Sequence, residues 1–158
     1  MHPLQSQTIE IIKDLQASKI DPILYGSQGI SLYLGPFKKF GDIDLLVSDR
    51  YMNESWPTLV EIMSTIGFKL LDLHEHEFIN DQGLRVGFAS EDVLIRDGII
   101  KQLEQVITIS TGGLSVRTLS ANDFRTAYQF SRKDGYRKEM RGKNDQHVID
   151  LLEAQLQS

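Results

Sequence analysis

Ile23-Leu24-Tyr25-Gly26-Ser27, followed after the 14 residues 28–41 by Asp42-Ile43-Asp44-Leu45-Leu46-Val47, is the stretch on which the reading turns. The first part is a short apolar strand running into a Gly-Ser turn. The second is a strand whose Leu-Leu-Val run suits burial on both faces. On a strand, residues i and i+2 share a face, with Cα atoms about 6.5–7 Å apart. Asp42 and Asp44 therefore point the same way. Two carboxylates about 5 Å apart repel by roughly 3 kcal/mol at an effective dielectric near 20, which calls for a reason. A divalent cation supplies one. Magnesium takes one or two protein carboxylates and fills its shell with water and phosphate oxygens. Gly26 permits close backbone approach, and Ser27 offers a hydroxyl and an N–H at a helix start, where a phosphate is welcome. The plainer alternative is that Asp42 caps a turn and Asp44 is a solvated edge residue.

Working outward, Leu4, Thr8, Ile11, Ile12 and Leu15 recur at helical spacing and predict an amphipathic first helix. Ile30, Leu32, Tyr33 and Leu34 suggest a short helix closed by Gly35-Pro36. Ser55 and Pro57 open a helix from Trp56 to about Ile66. Residues 68–73, 77–79 and 84–88 read as strands, and Asn80-Asp81-Gln82-Gly83 as a turn. Ile99 to Ile109 fits a helix first and a strand later. Leu114 to Val116 reads as a short strand. Ser120 with Asp123 resembles a capping box for a helix to about Arg132. Val148, Leu151, Leu152 and Leu156 give the stripe of a last helix. The order predicts a mixed α/β domain.

The 158 residues suit one domain, 1–158, with no linker or repeat. With no cysteine, disulfides, thiolate zinc sites and cysteine nucleophiles are excluded. The 17 Lys and Arg against 22 Asp and Glu give a net charge of −5, unsuited to broad nucleic-acid binding. The distribution is uneven. Arg132, Lys133, Arg137, Lys138, Arg141 and Lys143 stand against Asp134 and Glu139, so that segment carries +4 and the rest −9. Such a patch on an acidic body suggests one anionic ligand site, although a solvated helix face explains it equally. The first residues lack a basic region followed by an apolar run, and no apolar stretch approaches about 20 residues. No membrane partner is expected, and the expected location is cytoplasmic. His74-Glu75-His76 offers two imidazoles on one side of a strand, but without an identifiable third zinc ligand.

Leu24-Tyr25-Gly26-Ser27 with Asp42-Ile43-Asp44-Leu45 resembles the signature of the nucleotidyltransferase superfamily of DNA polymerase beta type. The closing Lys143-Asn144-Asp145 and its apolar helix are similar to the end of many small bacterial members, including antibiotic-modifying and toxin–antitoxin types. The resemblance implies a mixed, twisted sheet flanked by helices, with a short helical C-terminal segment. It implies that Gly26 and Ser27 hold nucleotide phosphates, with Lys143 as a basic partner. Asp42 and Asp44 would bind Mg²⁺ (or Mn²⁺) and form the catalytic pair. The implied reaction moves a nucleoside monophosphate from an NTP to a hydroxyl on a small molecule, a protein or an RNA end. The family usually has a third carboxylate on a neighbouring strand, where this sequence aligns Gly87; Glu75, Glu77, Glu91 and Asp92 are the acids nearby. The alternative is a catalytically impaired relative that binds nucleotide or a protein partner.

Overall fold

A computed structural model describes residues 1–36, 42–133 and 135–157, with the side chains of 132–145 outside that description. The chain runs α1 (Ser6–Ala17), β1 (Ile23–Tyr25), α2 (Gly26–Leu34), β2 (Ile43–Val47), a 3₁₀ turn (Asp49–Met52) and α3 (Trp56–Thr65). It continues through β3 (Lys69–Asp72), β4 (Glu77–Ile79), β5 (Arg85–Ser90), α4 (Val93–Arg96) and a second 3₁₀ turn (Leu103–Gln105). β6 (Ile107–Thr111), β7 (Leu114–Thr118), α5 (Ala121–Lys133) and α6 (Gly135–Gln157) follow. The strands form one seven-stranded mixed sheet in the order β3-β4-β5-β2-β1-β7-β6. β2 pairs parallel with β5, and β1 parallel with β7. The neighbours β1 and β2 run antiparallel.

Strand alternation divides the core. Leu24, Ile43, Leu45, Val47, Phe78, Val86 and Phe88 pack with Ile11, Ile12 and Leu15 of α1 and Leu59 and Met63 of α3. From the opposite face Ile23 and Leu46 pack with Ile30, Leu94, Phe124, Ala127, Val148 and Leu152. Burying one such aliphatic side chain contributes about 1.5–3 kcal/mol, so both layers hold the sheet firmly. β2 is the central plank, with Leu45, Leu46 and Val47 all buried as its apolar run predicts.

Several elements differ from their sequence signals, each for a physical reason. α2 begins directly at Gly26, ahead of the apolar run at Ile30, because Gly26 takes a left-handed φ of 61° and turns the chain straight from strand into helix. The ambiguous stretch from Ile99 resolves into the Leu103–Gln105 turn, closed by reciprocal Gln102 and Gln105 hydrogen bonds, and then β6. The C-terminal helical segment is not short: α6 has 23 residues. Its core-facing stripe is Val148, Ile149 and Leu152, whereas Leu151 and Leu156 are exposed. Ser120 caps α5 as its sequence suggests, its Oγ accepting from the Asp123 N–H at 3.1 Å.

Candidate functional site

The site grows from the junction of β1 and α2. Tyr25 sits opposite Asp44 across the β1–β2 ladder. Directly opposed residues point to the same face, and the Tyr25 ring stacks on Phe124 of α5 with centroids 6.1 Å apart. Asp44 therefore projects toward the α5 side, where α2 begins. A Cβ at Gly26 would collide with Asp44 Oδ2, so the carboxylate lies directly against the Gly26 backbone. The first N–H groups of a helix have no intrahelical acceptor and carry the positive end of its dipole. Here the Tyr25 side chain makes no capping hydrogen bond, and no acidic residue occupies the first turn of α2. Gly26, Ser27, Asp42 and Asp44 are all half-buried, open enough to meet solvent.

The register extends this junction across the sheet. Asp44 pairs with Gly87 on β5, and Gly87 pairs with Glu77 on β4. Tyr25, Asp44, Gly87 and Glu77 thus form one transverse row. Gly87 stands beside Asp44, as aligned: a Cβ there would lie 3.5 Å from Asp44 Oδ1 and meet nothing else within 4 Å. No carboxylate occupies that position. Glu77 stands one strand further out, near enough to Asp42 to feel its charge. Burial pushes the Glu77 carboxyl above its ordinary range, the Asp42 charge adds to the rise, and Arg85 opposes it. The Arg85–Glu77 ion pair spans 3.3 Å.

The other acids near the site go elsewhere. Glu91 faces Arg117 at 3.7 Å. Asp92 precedes the single turn of α4. Glu75 lies exposed in the β3–β4 turn. His74 and His76 belong to that turn rather than to a strand, and His76 packs edge-on against Trp56 with centroids 5.0 Å apart. The paired-imidazole expectation is therefore lost. Lys143 lies on α6, but its side chain, like the rest of the 132–143 basic cluster, falls outside the described residues. Glu77 was hard to single out from sequence, because β4 has only three residues and Glu77 opens it. The signal that picks it out is register, placing it in line with Gly87 and Asp44.

The donor set fits magnesium. Asp44 lies on β2 and Asp42 immediately ahead of it, not within the strand as its sequence predicts, and magnesium draws the remainder of its shell from water and phosphate. Among the described residues no group of three or more His, Cys, Asp or Glu is gathered to hold an ion alone. Among them, too, no helix is long and apolar enough to cross a membrane.

This architecture is the nucleotidyltransferase fold. The chain superposes on an antigenic nucleotidyltransferase-like protein from Paracoccidioides brasiliensis with a TM-score of 0.63 and 15% identity, covering 95% of this chain and 77% of that one. It superposes on the lincosamide antibiotic adenylyltransferase LnuA, solved with lincomycin bound, with a TM-score of 0.62 and 14% identity over 96% and 98% of the two chains. For the antibiotic-resistance factor ANT(2'')-Ia the TM-score is 0.61 at 12% identity, over 94% and 87%. No protein-family model matches the sequence. The chain is 32% identical to the uncharacterized protein YnaI of Bacillus subtilis (strain 168) over 152 residues, 94% of this chain and 95% of that protein, and it belongs to the same family.

Proposed function

We propose that this protein is a nucleotidyltransferase that moves a nucleoside monophosphate from an NTP to a hydroxyl acceptor with Mg²⁺ or Mn²⁺. The observation that carries the reading is the Asp44 carboxylate seated against Gly26 at the start of α2. It joins a cation ligand to a phosphate-binding helix end in one place. In this reading Asp42 and Asp44 hold the cation. Gly26 and Ser27 present N–H groups, and the Ser27 hydroxyl, to the triphosphate. Lys143 adds a charge-assisted contact. A divalent cation bound there would neutralise phosphate charge and so ease displacement at the α-phosphorus. The acceptor oxygen bonds to that phosphorus, the bond to the β-phosphate breaks, pyrophosphate leaves, and the hydroxyl proton passes to solvent or to a site carboxylate. LnuA is a lincosamide antibiotic adenylyltransferase and ANT(2'')-Ia an antibiotic-resistance factor, which favours a small-molecule acceptor over a protein or an RNA end.

A second reading, nucleotide binding without transfer, draws on Gly87, which leaves Asp44 without a carboxylate neighbour on β5. Calorimetry with ATP and the other nucleoside triphosphates, with and without Mn²⁺, tests both. Cation-dependent binding that is lost in Asp44→Asn, together with pyrophosphate release in the presence of hydroxyl compounds, supports transfer. Cation-independent binding supports the second reading. Lys143→Glu is expected to weaken triphosphate binding by roughly 1–3 kcal/mol, the scale of a charge-assisted contact. Unchanged affinity would return the 132–143 cluster to a solvated face.

A further inference from the structure

Gln28 lies in the first turn of α2, directly after Ser27, and is only 2% exposed. Its Oε1 accepts from the hydroxyl of the fully buried Thr8 on α1 at 3.1 Å. Its Nε2 donates to Gln5 Oε1 at 3.4 Å, and its backbone carbonyl accepts from the buried Ser31 hydroxyl at 2.6 Å. The other buried residues of α1 are the apolar Ile11, Ile12 and Leu15. A buried hydroxyl–amide pair adds little net stability, because both groups give up water to form it, and two apolar groups of the same shape would hold α1 to α2 about as well. What a satisfied buried pair adds is one defined arrangement, since a slip leaves a polar group unpaired. The next residue grips α2 from a second direction. A Cβ at Gly29 would lie 2.5 Å from Phe124 Cζ and 3.2 Å from the Leu24 carbonyl oxygen, so the helix backbone is seated directly against α5 and β1. The start of α2 has no side-chain cap of its own. Its first turn is therefore located from outside the helix, by α1 through Gln28 and by α5 through Gly29.

We propose that Thr8 and Gln28 are positioning residues for the nucleotide site: their hydrogen bond fixes where the Gly26-Ser27 end of α2 meets the triphosphate. The role rests on the nucleotidyltransferase reading and deepens it. Both side chains are buried, so they act through the backbone of the turn and not on the ligand. Gln28 sets the place of Ser27, its neighbour in the chain, and Thr8 sets the place of Gln28. A binding constellation has to be held within about 0.5 Å of its working geometry by residues locked behind it, and this pair is the lock behind Ser27.

The test sets ligand binding against stability, with Mn²⁺-ATP binding followed by calorimetry and unfolding followed in urea, both on the full chain. Asp44→Asn is the control for the underlying site and is expected to abolish binding. Thr8→Val removes the hydroxyl at nearly constant volume and strands the buried Gln28 amide, so the urea midpoint should fall. Binding should weaken about 10-fold, within the scale of a displacement of about 1 Å at a site. Thr8→Ser keeps the hydroxyl and should bind as wild type does. The deciding variant is Thr8→Val with Gln28→Met, which replaces the pair by apolar side chains of similar size. Its urea midpoint should return to the wild-type value or above while binding stays weak, a split that a merely structural contact would not give. If binding returns together with stability, or if Thr8→Val binds like wild type, the positioning role is overturned and the parent reading stands. Where the double variant does not fold, Thr8→Val and Thr8→Ser decide, both fully folded in the calorimeter: weaker binding by the Val variant supports the role and equal binding overturns it. If Asp44→Asn leaves binding intact, or the wild-type chain binds no Mn²⁺-ATP, both ideas fall together.

Discussion

Asp44 is flanked by two glycines, and they are glycines for opposite reasons. On the β1 side Gly26 has a left-handed φ of 61°, and a side chain there would run into the Asp44 carboxylate. On the β5 side Gly87 has an ordinary strand backbone, and a Cβ would make only a normal 3.5 Å contact with Asp44 Oδ1. One flank is closed by contact and the other is open by omission. A sequence records both as the same letter. What separates them is whether the missing atom would collide, and only the closed flank is dictated by the local fold. The open flank is tolerated by the fold, so its glycine needs an explanation from outside packing.

The largest effect should come from the closed flank. Gly26→Ala forces an L-residue into the left-handed region, at roughly 1–2 kcal/mol, and then displaces either Asp44 or the start of α2. Urea unfolding should show a loss beyond that backbone term, and Mn²⁺ binding should fall with it because Asp44 has moved. Gly87→Ala should behave oppositely: a strand glycine gains about 0.5–1 kcal/mol on becoming alanine when there is room. Equal destabilisation at the two positions would break the contrast.

Asp42→Asn with Asp44→Asn probes what the two flanks enclose. Removing the mutual repulsion favours the variant, but Asp44 also sits at the positive end of α2, where a carboxylate contributes about 0.3–1 kcal/mol. The two terms oppose, so unfolding free energy should change by less than about 1 kcal/mol while cation binding disappears. A fold that collapses on this change would instead make the pair a structural turn. The contrast would then sharpen differently, with Gly26 closed to protect a turn.

The closed flank was legible in the sequence and the open one only partly. Gly26-Ser27 after an apolar strand, and two acids at strand spacing before Leu-Leu-Val, are local patterns. The strand period predicts Asp42 and Asp44 on one face; in the structure Asp44 lies on β2 and Asp42 immediately precedes it. Gly87 could be aligned with the missing acid because Val86 and Phe88 fix its parity on β5. Glu77 could not be ranked above Glu75, Glu91 or Asp92, since its place depends on two successive registers, β2 with β5 and β5 with β4. The β4–β5 register is local, but that of β2 with β5 joins strands more than 30 residues apart and is set by the assembled core, not by either segment. The full length of α6 was hidden for a related reason: its first half has no apolar stripe to announce a helix. The one-turn helix at Val93–Arg96 is too short to show a period at all.

The smallest expected effect concerns pH and the half-buried Glu77 carboxyl, which stands beyond the open flank in the same row. Its carboxyl is raised by burial and then by Asp42, just ahead of β2, against the lowering effect of Arg85 on β5. Asp72 on β3 stands opposite it in the register, its own carboxylate accepting from the Glu75 N–H. A carboxyl raised in the folded state binds its proton more tightly there than in the unfolded chain, where the ordinary glutamate value is about 4.3. Its favourable contribution is therefore complete below that value and is lost as pH rises through the folded value. Above that window, ionised Glu77 costs stability that Gln does not. Glu77→Gln should accordingly unfold at a higher urea midpoint than wild type at pH 7, with the gap closing toward pH 4. Because Arg85 is half in solvent, the difference should be modest and should shrink with added salt. A gap that is the same at both pH values would mean that Glu77 lies in solvent rather than under cover beyond the open flank.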